Sequence, residues 1–298
     1  MRLNRFMIRP LVENGLREEL SAGDTTGGFL ADGNDPVLNG QIYAKGSGIV
    51  CGLLLADETI KLVEPEAEIE HQLEDGDPMK PGTVIFKIRA HASTFFAIES
   101  AALDWIQQLS GIATKVRRYM DLVKHTDVRV TDTRKGWPGL RMVQKYAVRI
   151  DGAHNHIFNL SNCVLVKDNH IKLAGSIAEA VKILRARAQH TFNMEVECES
   201  FNQVREALDA GVKIIMFDNM DLDEMKEAMK IVDGRTMTEA SGGVNEDTIV
   251  AIAETGVDII SVGDLTHSVS VIDISLDVHD IKPSAKRTIE RLESAVSG

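Results

Sequence analysis

Cysteines, aromatic residues and long apolar runs are all scarce in this chain, and each scarcity excludes something. There are three cysteines, Cys51, Cys163 and Cys198, far apart and without CxxC spacing. An odd and scattered set argues against a disulfide framework and reads as reduced thiols. Phe, Trp and Tyr together supply 5% of the 298 residues, too few for the stacking platforms that bind single-stranded nucleic acid. No apolar run approaches the ~18 residues of a membrane-spanning helix. The opening stretch, MRLNRFMIRPLVENGLREEL, mixes charges into an amphipathic pattern and lacks the apolar core of a signal peptide. A cytoplasmic location is expected, with neither membrane nor nucleic acid as a partner.

Positive charge is also in short supply. Lys and Arg number 33 against 45 Asp and Glu, a formal net charge of −12. That field repels phosphate backbones and anionic membranes at long range. An anionic substrate would need a locally positive pocket set against it.

The pattern changes character near residue 110. Before it, the β-rich pieces GQIYAKGSGIVCGL, AEIEHQL and GTVIFKIRA are broken by EDGDPMKPG, which reads as a hairpin-type turn. A helix is expected from roughly Phe95 to Leu109. Residues 1–110 are therefore expected to form a small α+β domain. After it, one unit recurs: a β-rich run, a polar end, an amphipathic helix. The strand candidates are VRVTD (128–132), VLVKD (164–168), MEVEC (194–198), IIMFD (214–218), TMTEA (236–240) and IISVG (259–263). The intervening helices open on Ser, Asp or Asn and stop at Gly, as capping predicts. Such alternation means a parallel sheet with right-handed crossovers. Six units are too few for an eight-stranded barrel. A barrel variant over 111–276 is expected in preference to a doubly wound sheet.

In parallel α/β folds, functional side chains gather where strands end and loops begin. Here the first strand ends in Asp132, Arg134 and Lys135, and the second in Lys167 to His170. Glu197 lies on the third, Asp218 and Asn219 end the fourth, and EASGG and VGD follow the last two. Charge concentrated at one end of a sheet points to a shared pocket. Arg134, Lys135, Lys167 and His156 suit a polyanion, the arginine offering a bidentate fork and the lysines point charges. Glu197 and Asp218, on neighbouring strands, could hold Mg2+ or accept hydrogen bonds from sugar hydroxyls. Ser241, Gly242, Gly243 and Gly263 let backbone N–H groups approach a phosphate, and SGGVNEDT is expected to open a helix whose N-terminus favours it. Phosphoryl or phosphoribosyl chemistry fits, and so does a Schiff-base aldolase using Lys167. His71, His91, His125 and His190 lie outside these motifs and read as surface or capping residues.

The motifs GDTT, QQLSGIAT (107–114), DTRKGWPGLR (132–141), KYAVR, NH (155–156), KDNHI, EVECES, FDNM, EASGGV, SVGDLTHS and DISLDV resemble, in order and over nearly the whole chain, the quinolinate phosphoribosyltransferases. The resemblance implies an N-terminal α/β sandwich domain followed by an incomplete six-stranded parallel α/β barrel, with the C-terminal segment 277–298 packing back on the first domain. It implies a cytoplasmic homodimer whose barrel-mouth site is closed by the partner. It further implies Mg-dependent transfer of ribose phosphate from phosphoribosyl pyrophosphate to the ring nitrogen of quinolinate, with loss of CO2 and pyrophosphate, in NAD biosynthesis. Carried onto matching positions, Lys135, Lys167, Glu197 and Asp218 are the catalytic set, with Glu197 and Asp218 on the ribose and metal. Arg134, Lys135, His156 and Lys167 face the substrate anions, and Ser241 to Gly243 with Gly263 hold the 5′-phosphate.

The departures fall on the acceptor side. Where the family reads ERTALN this chain reads ESAALD, so Ser100 takes the place of an arginine. GGGxNHR has become DGAHNHI, so Ile157 replaces a second arginine, and RKT has become RKGW, introducing Gly136 and Trp137. A charged hydrogen bond is worth roughly 1.5–3 kcal/mol, so two lost arginines weaken a dicarboxylate strongly. Three readings stay open. His154 or another cation compensates and quinolinate is the acceptor; the acceptor is a less anionic heterocycle, with Ile157 and Trp137 as its wall; or the chain binds a phosphoribosyl metabolite without catalysis.

Overall fold

The structure is a computed structural model and describes residues 2–279. It divides into two compact units, one of residues up to Thr114 together with the segment from Ser270, the other Lys115–Val269.

The first unit begins with α1 (Arg5–Leu20) and α2 (Thr25–Ala31), each started by a side-chain cap: Asn4 accepts from the Met7 N–H and Asp24 from the Gly27 N–H. There follow β1 (Val37–Ala44), β2 (Gly48–Ile49), α3 (Leu53–Val63), β3 (Glu68–His71), β4 (Pro78–Met79) and β5 (Val84–His91). Helix α4 (Ala92–Val123) then runs on into the second unit. In β1 the residues Leu38, Gly40, Ile42 and Ala44 are buried in alternation, as a sheet with one covered face requires. Ile42, Phe86, Phe95, Ile60, Ile98 and Ile106 lie in the core. Gly40 is part of that packing, because a Cβ there would stand 2.5 Å from Phe95 Cε1.

The second unit carries β6 (Arg129–Thr131), α5 (Arg141–Ile150), β7 (Val164–Val166), α6 (Asp168–Ala174), α7 (Ile177–Arg187), β8 (Met194–Cys198) and α8 (Phe201–Asp209). It continues through β9 (Ile214–Asp218), α9 (Leu222–Val232), β10 (Met237–Ser241), α10 (Ile249–Ala253), β11 (Ile259–Ser261) and α11 (Asp264–His267). The chain then returns to the first unit as β12 (Ile274–His279), which pairs antiparallel with β1 in a sheet ordered β12-β1-β5-β3. Of the segment expected to pack back, residues 280–298 lie outside the described residues.

The sheet of the second unit has six parallel strands in the order β6-β11-β10-β9-β8-β7. Its two end strands do not pair with each other, so this is an incomplete barrel with a seam between β6 and β7. The seam is lined on the β6 side by the crossing segment 153–157. His154 bridges Thr131 in parallel fashion, donating its N–H to the Val130 carbonyl at 2.8 Å.

Three local expectations change. The helix expected over 95–109 extends from 92 to 123, since nothing after Leu109 breaks it and Gly111 alone is tolerated within a long apolar face. EDGDPMKPG is not a bare turn: Pro78 and Met79 form β4 against β2, within the connection between the antiparallel pair β3 and β5. The helix expected directly after SGG begins only at Ile249, because Asn245 turns the chain first by accepting from the Asp247 and Thr248 N–H groups.

Candidate active site

Residues two apart on a strand share a face. On β8 that places Glu195 and Glu197 together; on β10 it places Glu239 with Ser241. Each pair forms two layers, one midway along the strand and one at its C-terminal end. Of the predicted residues, Glu197 and Ser241 occupy the end layer.

Lys167, just past β7, forms an ion pair with Glu197 Oε1 on the neighbouring strand. Burial pushes the Glu197 carboxyl up, Lys167 pulls it back, and the negative charge of Asp218 pushes it up again. Glu197 and Asp218 thus sense each other across adjacent strands. Asp218 Oδ2 accepts from Asn219 Nδ2 at 3.1 Å. Two hard carboxylate donors, mutually repelling and with Glu197 Oε2 free of hydrogen bonds among the described residues, make a donor set that fits Mg2+.

Past β10, Gly242 and Gly243 adopt φ of +90° and +63°. A Cβ at Gly242 would lie 2.1 Å from Asn219 Oδ1, so only glycine fits between the ends of β9 and β10. With the helix starting later, it is the backbone of this loop rather than a helix N-terminus that follows the end of β10. Past β11, a Cβ at Gly263 would stand 3.2 Å from Lys135 Cδ and 3.3 Å from the His267 ring. Lys135 and Gly263 are therefore side by side, with His267 next to them. The sequence reading passed over His267, although it lies in the quoted SVGDLTHS.

Arg134, Ile157 and Lys167 share a cavity of about 440 Å³, walled further by Leu160, Leu165 and Leu173. His156 points elsewhere. Its Nε2 lies 3.3 Å from Glu195 Oε2 and 3.5 Å from Glu239 Oε1, between two buried carboxylates inside the sheet's curve. Burial would lower the His156 pKa, but the hydrogen bond it donates to Glu195 and the charge of both glutamates raise it. Burial, with Glu195 nearby, pushes Glu239 up to about 8. Glu239 thus keeps its proton into the neutral range, and the imidazole beside it holds its own proton more tightly than a free histidine does. Among the described residues, the buried Glu239 Oε1 and Thr131 Oγ1 find no hydrogen-bond partner. The sequence reading missed Glu195 and Glu239; strand parity with Glu197 and Ser241 is the signal that finds them.

The backbone around His156 is clamped by a buried ion pair. Lys145 Nζ stands 2.5 Å from Asp132 Oδ1, with the side chains 3% and 0% exposed. Asp132 also accepts from the His156 N–H and Asn155 Nδ2, both at 2.8 Å, and Lys145 donates to the His156 carbonyl at 3.0 Å.

The remaining predicted residues are not brought to the Arg134 cavity. His154 lines a second cavity of about 340 Å³ with Arg129, Asn193, His156 and Glu239, which meets the first at Ile157 and Cys163. Trp137 is 52% exposed on the loop after β6, its backbone N–H donating to Gln144 Oε1 at 3.1 Å. The same oxygen would be 2.6 Å from a Cβ at Gly136, which explains the glycine before it. Ser100 is an exposed residue of α4 in the first unit.

Among the described residues no helix is long and apolar enough to cross a membrane. Residues 24–110 match the model of the quinolinate phosphoribosyl transferase N-terminal domain, and residues 112–277 match that of its C-terminal domain. The chain is 38% identical over 276 residues to a probable nicotinate-nucleotide pyrophosphorylase [carboxylating] of Bacillus subtilis, covering 93% of this chain and 95% of that protein. It is 37% identical to the corresponding probable enzyme of Methanocaldococcus jannaschii, over 90% of this chain and 96% of that one. The crystal structure of NadC from Streptococcus pyogenes superposes with a TM-score of 0.89 at 34% identity, covering 94% of this chain and all of that one. Human nicotinic acid phosphoribosyltransferase shares the fold alone, with a TM-score of 0.57 at 10% identity over 93% of this chain and 74% of that one. Matched by both domain models, by curated relatives over nearly its full length and by solved structures, the chain belongs to the quinolinate phosphoribosyl transferase family.

Proposed function

We propose that the chain transfers ribose 5-phosphate from phosphoribosyl pyrophosphate to the ring nitrogen of a pyridine-type acid, as its nicotinate-nucleotide pyrophosphorylase relatives do in making a pyridine nucleotide. The observation that carries this reading is the gathering of Lys135, Lys167, Glu197, Asp218 and the Gly242–Gly243 loop at the same end of six parallel strands.

Each group has a task in that chemistry. The backbone N–H groups of Gly242 and Gly243 cradle the 5′-phosphate. Glu197 and Asp218 accept hydrogen bonds from the ribose hydroxyls and would hold Mg2+. When bound, the ion neutralises charge that builds on the departing pyrophosphate. Lys135, beside Gly263, adds fixed positive charge next to that leaving group. Arg134 grips a carboxylate of the acceptor by its fork and aims the ring nitrogen at the anomeric carbon. Lys167 ties Glu197 in place and lends its charge to the boundary between acceptor and ribose. Binding and orientation do most of this work, with no covalent intermediate on the protein.

A cytoplasmic homodimer is part of the same reading. The test is pyrophosphate release from phosphoribosyl pyrophosphate and Mg2+ with a panel of pyridine acids, together with sedimentation of the purified chain. Release that depends on acceptor is expected; its absence with every acceptor would overturn the reading.

A further inference from the structure

His156 stands between two carboxylates that a single ring nitrogen cannot both serve. Its Nε2 lies 3.3 Å from Glu195 Oε2 and 3.5 Å from Glu239 Oε1. Charge-assisted hydrogen bonds of this type close to about 2.7–2.9 Å. One N–H aimed at two acceptors leaves one of them short. The oxygen left is Glu239 Oε1, buried and without a hydrogen-bond partner among the described residues. Such an oxygen is costly to keep out of water.

The same separations are those of neighbouring ligands around a small cation. Ligand atoms about 2.1 Å from a tetrahedral ion stand about 3.4 Å from one another. Donor atoms of His156, Glu195 and Glu239 all lie within 4.8 Å of one another, and the glutamates are 2% and 1% exposed. A second observation points to a ligand at this place. Thr131 Oγ1, on a residue 3% exposed, also has no partner among the described residues, and Thr131 lines the same cavity as the other three. The ring is held from behind, because Asp132 and Lys145 fix the His156 backbone. All of these residues belong to the second unit of one chain and are already buried within it, so the donor set is complete without a partner subunit. One imidazole nitrogen with two carboxylate oxygens suits a borderline ion such as Zn2+ better than Mg2+, which keeps to oxygen ligands. Two carboxylates also balance the charge of a divalent ion.

We propose that His156, Glu195 and Glu239 form a binding site for one divalent transition ion of the Zn2+ class, one layer below the strand-end carboxylates Glu197 and Asp218. Water takes the fourth position, with the Thr131 hydroxyl as its hydrogen-bond partner. The ion ties the seam segment to β8 and β10, the strands on either side of β9. It thereby braces, across the interior, a sheet whose end strands do not pair. In the metal-free chain protons hold the same groups together, and the ion displaces them. The site does not depend on the phosphoribosyl-transfer reading.

The experiment uses the full chain, stripped with a chelator and titrated with Zn2+ in excess Mg2+, which occupies the strand-end carboxylates. Calorimetry gives affinity and stoichiometry, thermal unfolding gives Tm, and Co2+ in place of Zn2+ gives a visible spectrum. One Zn2+ per chain, a raised Tm and the strong visible absorption of four-coordinate Co2+ are expected. Glu195→Gln and Glu239→Gln keep the shape of each side chain, and each should weaken Zn2+ binding at least about tenfold and abolish the rise in Tm. Glu197→Gln should bind Zn2+ as the native chain does. Far-UV circular dichroism reports whether each variant is folded. Failure of the native chain to bind Zn2+ would overturn the proposal. So would undiminished binding in either folded glutamine variant at 195 or 239. Loss in Glu197→Gln alone would put the ion at the strand ends and overturn it too.

Discussion

Asp132 and Lys145 form an ion pair 2.5 Å apart in the interior, and both ends of it bond the backbone of the same residue, His156. The carboxylate takes the N–H and the ammonium takes the carbonyl. A charge pair this deep contributes little net stability over a well-packed apolar pair, but breaking it strands a buried charge.

Removing one partner is therefore expected to be costly. Lys145→Met leaves Asp132 uncompensated and should destabilise the second unit by about 3–5 kcal/mol. Urea denaturation checks this by the midpoint. A loss under ~1 kcal/mol would mean that the pair is wetter than its burial indicates.

Charge at the strand ends should matter for rate rather than for folding. Lys135→Ala and Lys167→Ala are expected to lower kcat by about two to three orders of magnitude, the scale of losing one preorganised stabilising group. Far-UV circular dichroism should be unchanged in both. Near-normal rates would mean that neither lysine touches the reacting groups.

Gly242→Ala tests the phosphate loop. The φ of +90° and the 2.1 Å approach to Asn219 Oδ1 both oppose a Cβ. The strained backbone costs of order 1–3 kcal/mol, and the loop relieves it by moving away from Asn219. Affinity for phosphoribosyl pyrophosphate should fall about tenfold or more, read by calorimetry, with acceptor affinity little changed.

Stability should fall as the medium turns alkaline. Glu239 is pushed up to about 8, and His156 is raised above its ordinary value. Glu239 keeps its proton when folded but loses it when unfolded, so between the ordinary carboxylate range and about 8 its contribution drops with rising pH. His156 stabilises fully below its ordinary value and loses that contribution as pH rises through its raised folded value. The two effects add. Thermal unfolding from pH 5 to pH 8 should show a declining Tm, and Glu239→Gln should flatten that decline. A Tm that rises across the range would contradict the assignment of the buried proton.

The second unit was largely legible in the sequence. All six parallel strands fall within two residues of the β-rich runs VRVTD to IISVG, because fully buried strands read as short apolar runs with polar ends. Helices α7, α8 and α9 follow their caps at Ser176, Ser200 and Asp221. Less legible was anything that depends on which strands become neighbours. Glu195 and Glu239 are far apart in sequence and meet His156 only through the curvature of the sheet. The short α6 lay unseen within KDNHIKLA, and α4 overran its expected end because a continuous apolar face carries no stop. The strand-end residues were found since their position follows from the strand alone, whereas the placing of His154 away from Arg134 depends on how the seam segment runs.

That seam has a consequence for what residue 157 can carry. Around residues 154–156 the chain is held to β6 by backbone groups and by Asp132, Lys145 and Asn155, none of which involves the side chain of Ile157. The side chain of Ile157, which lines two cavities, is thus hung on a frame indifferent to what is displayed there. A substitution at residue 157 therefore leaves in place every hydrogen bond that holds this segment to β6 and α5.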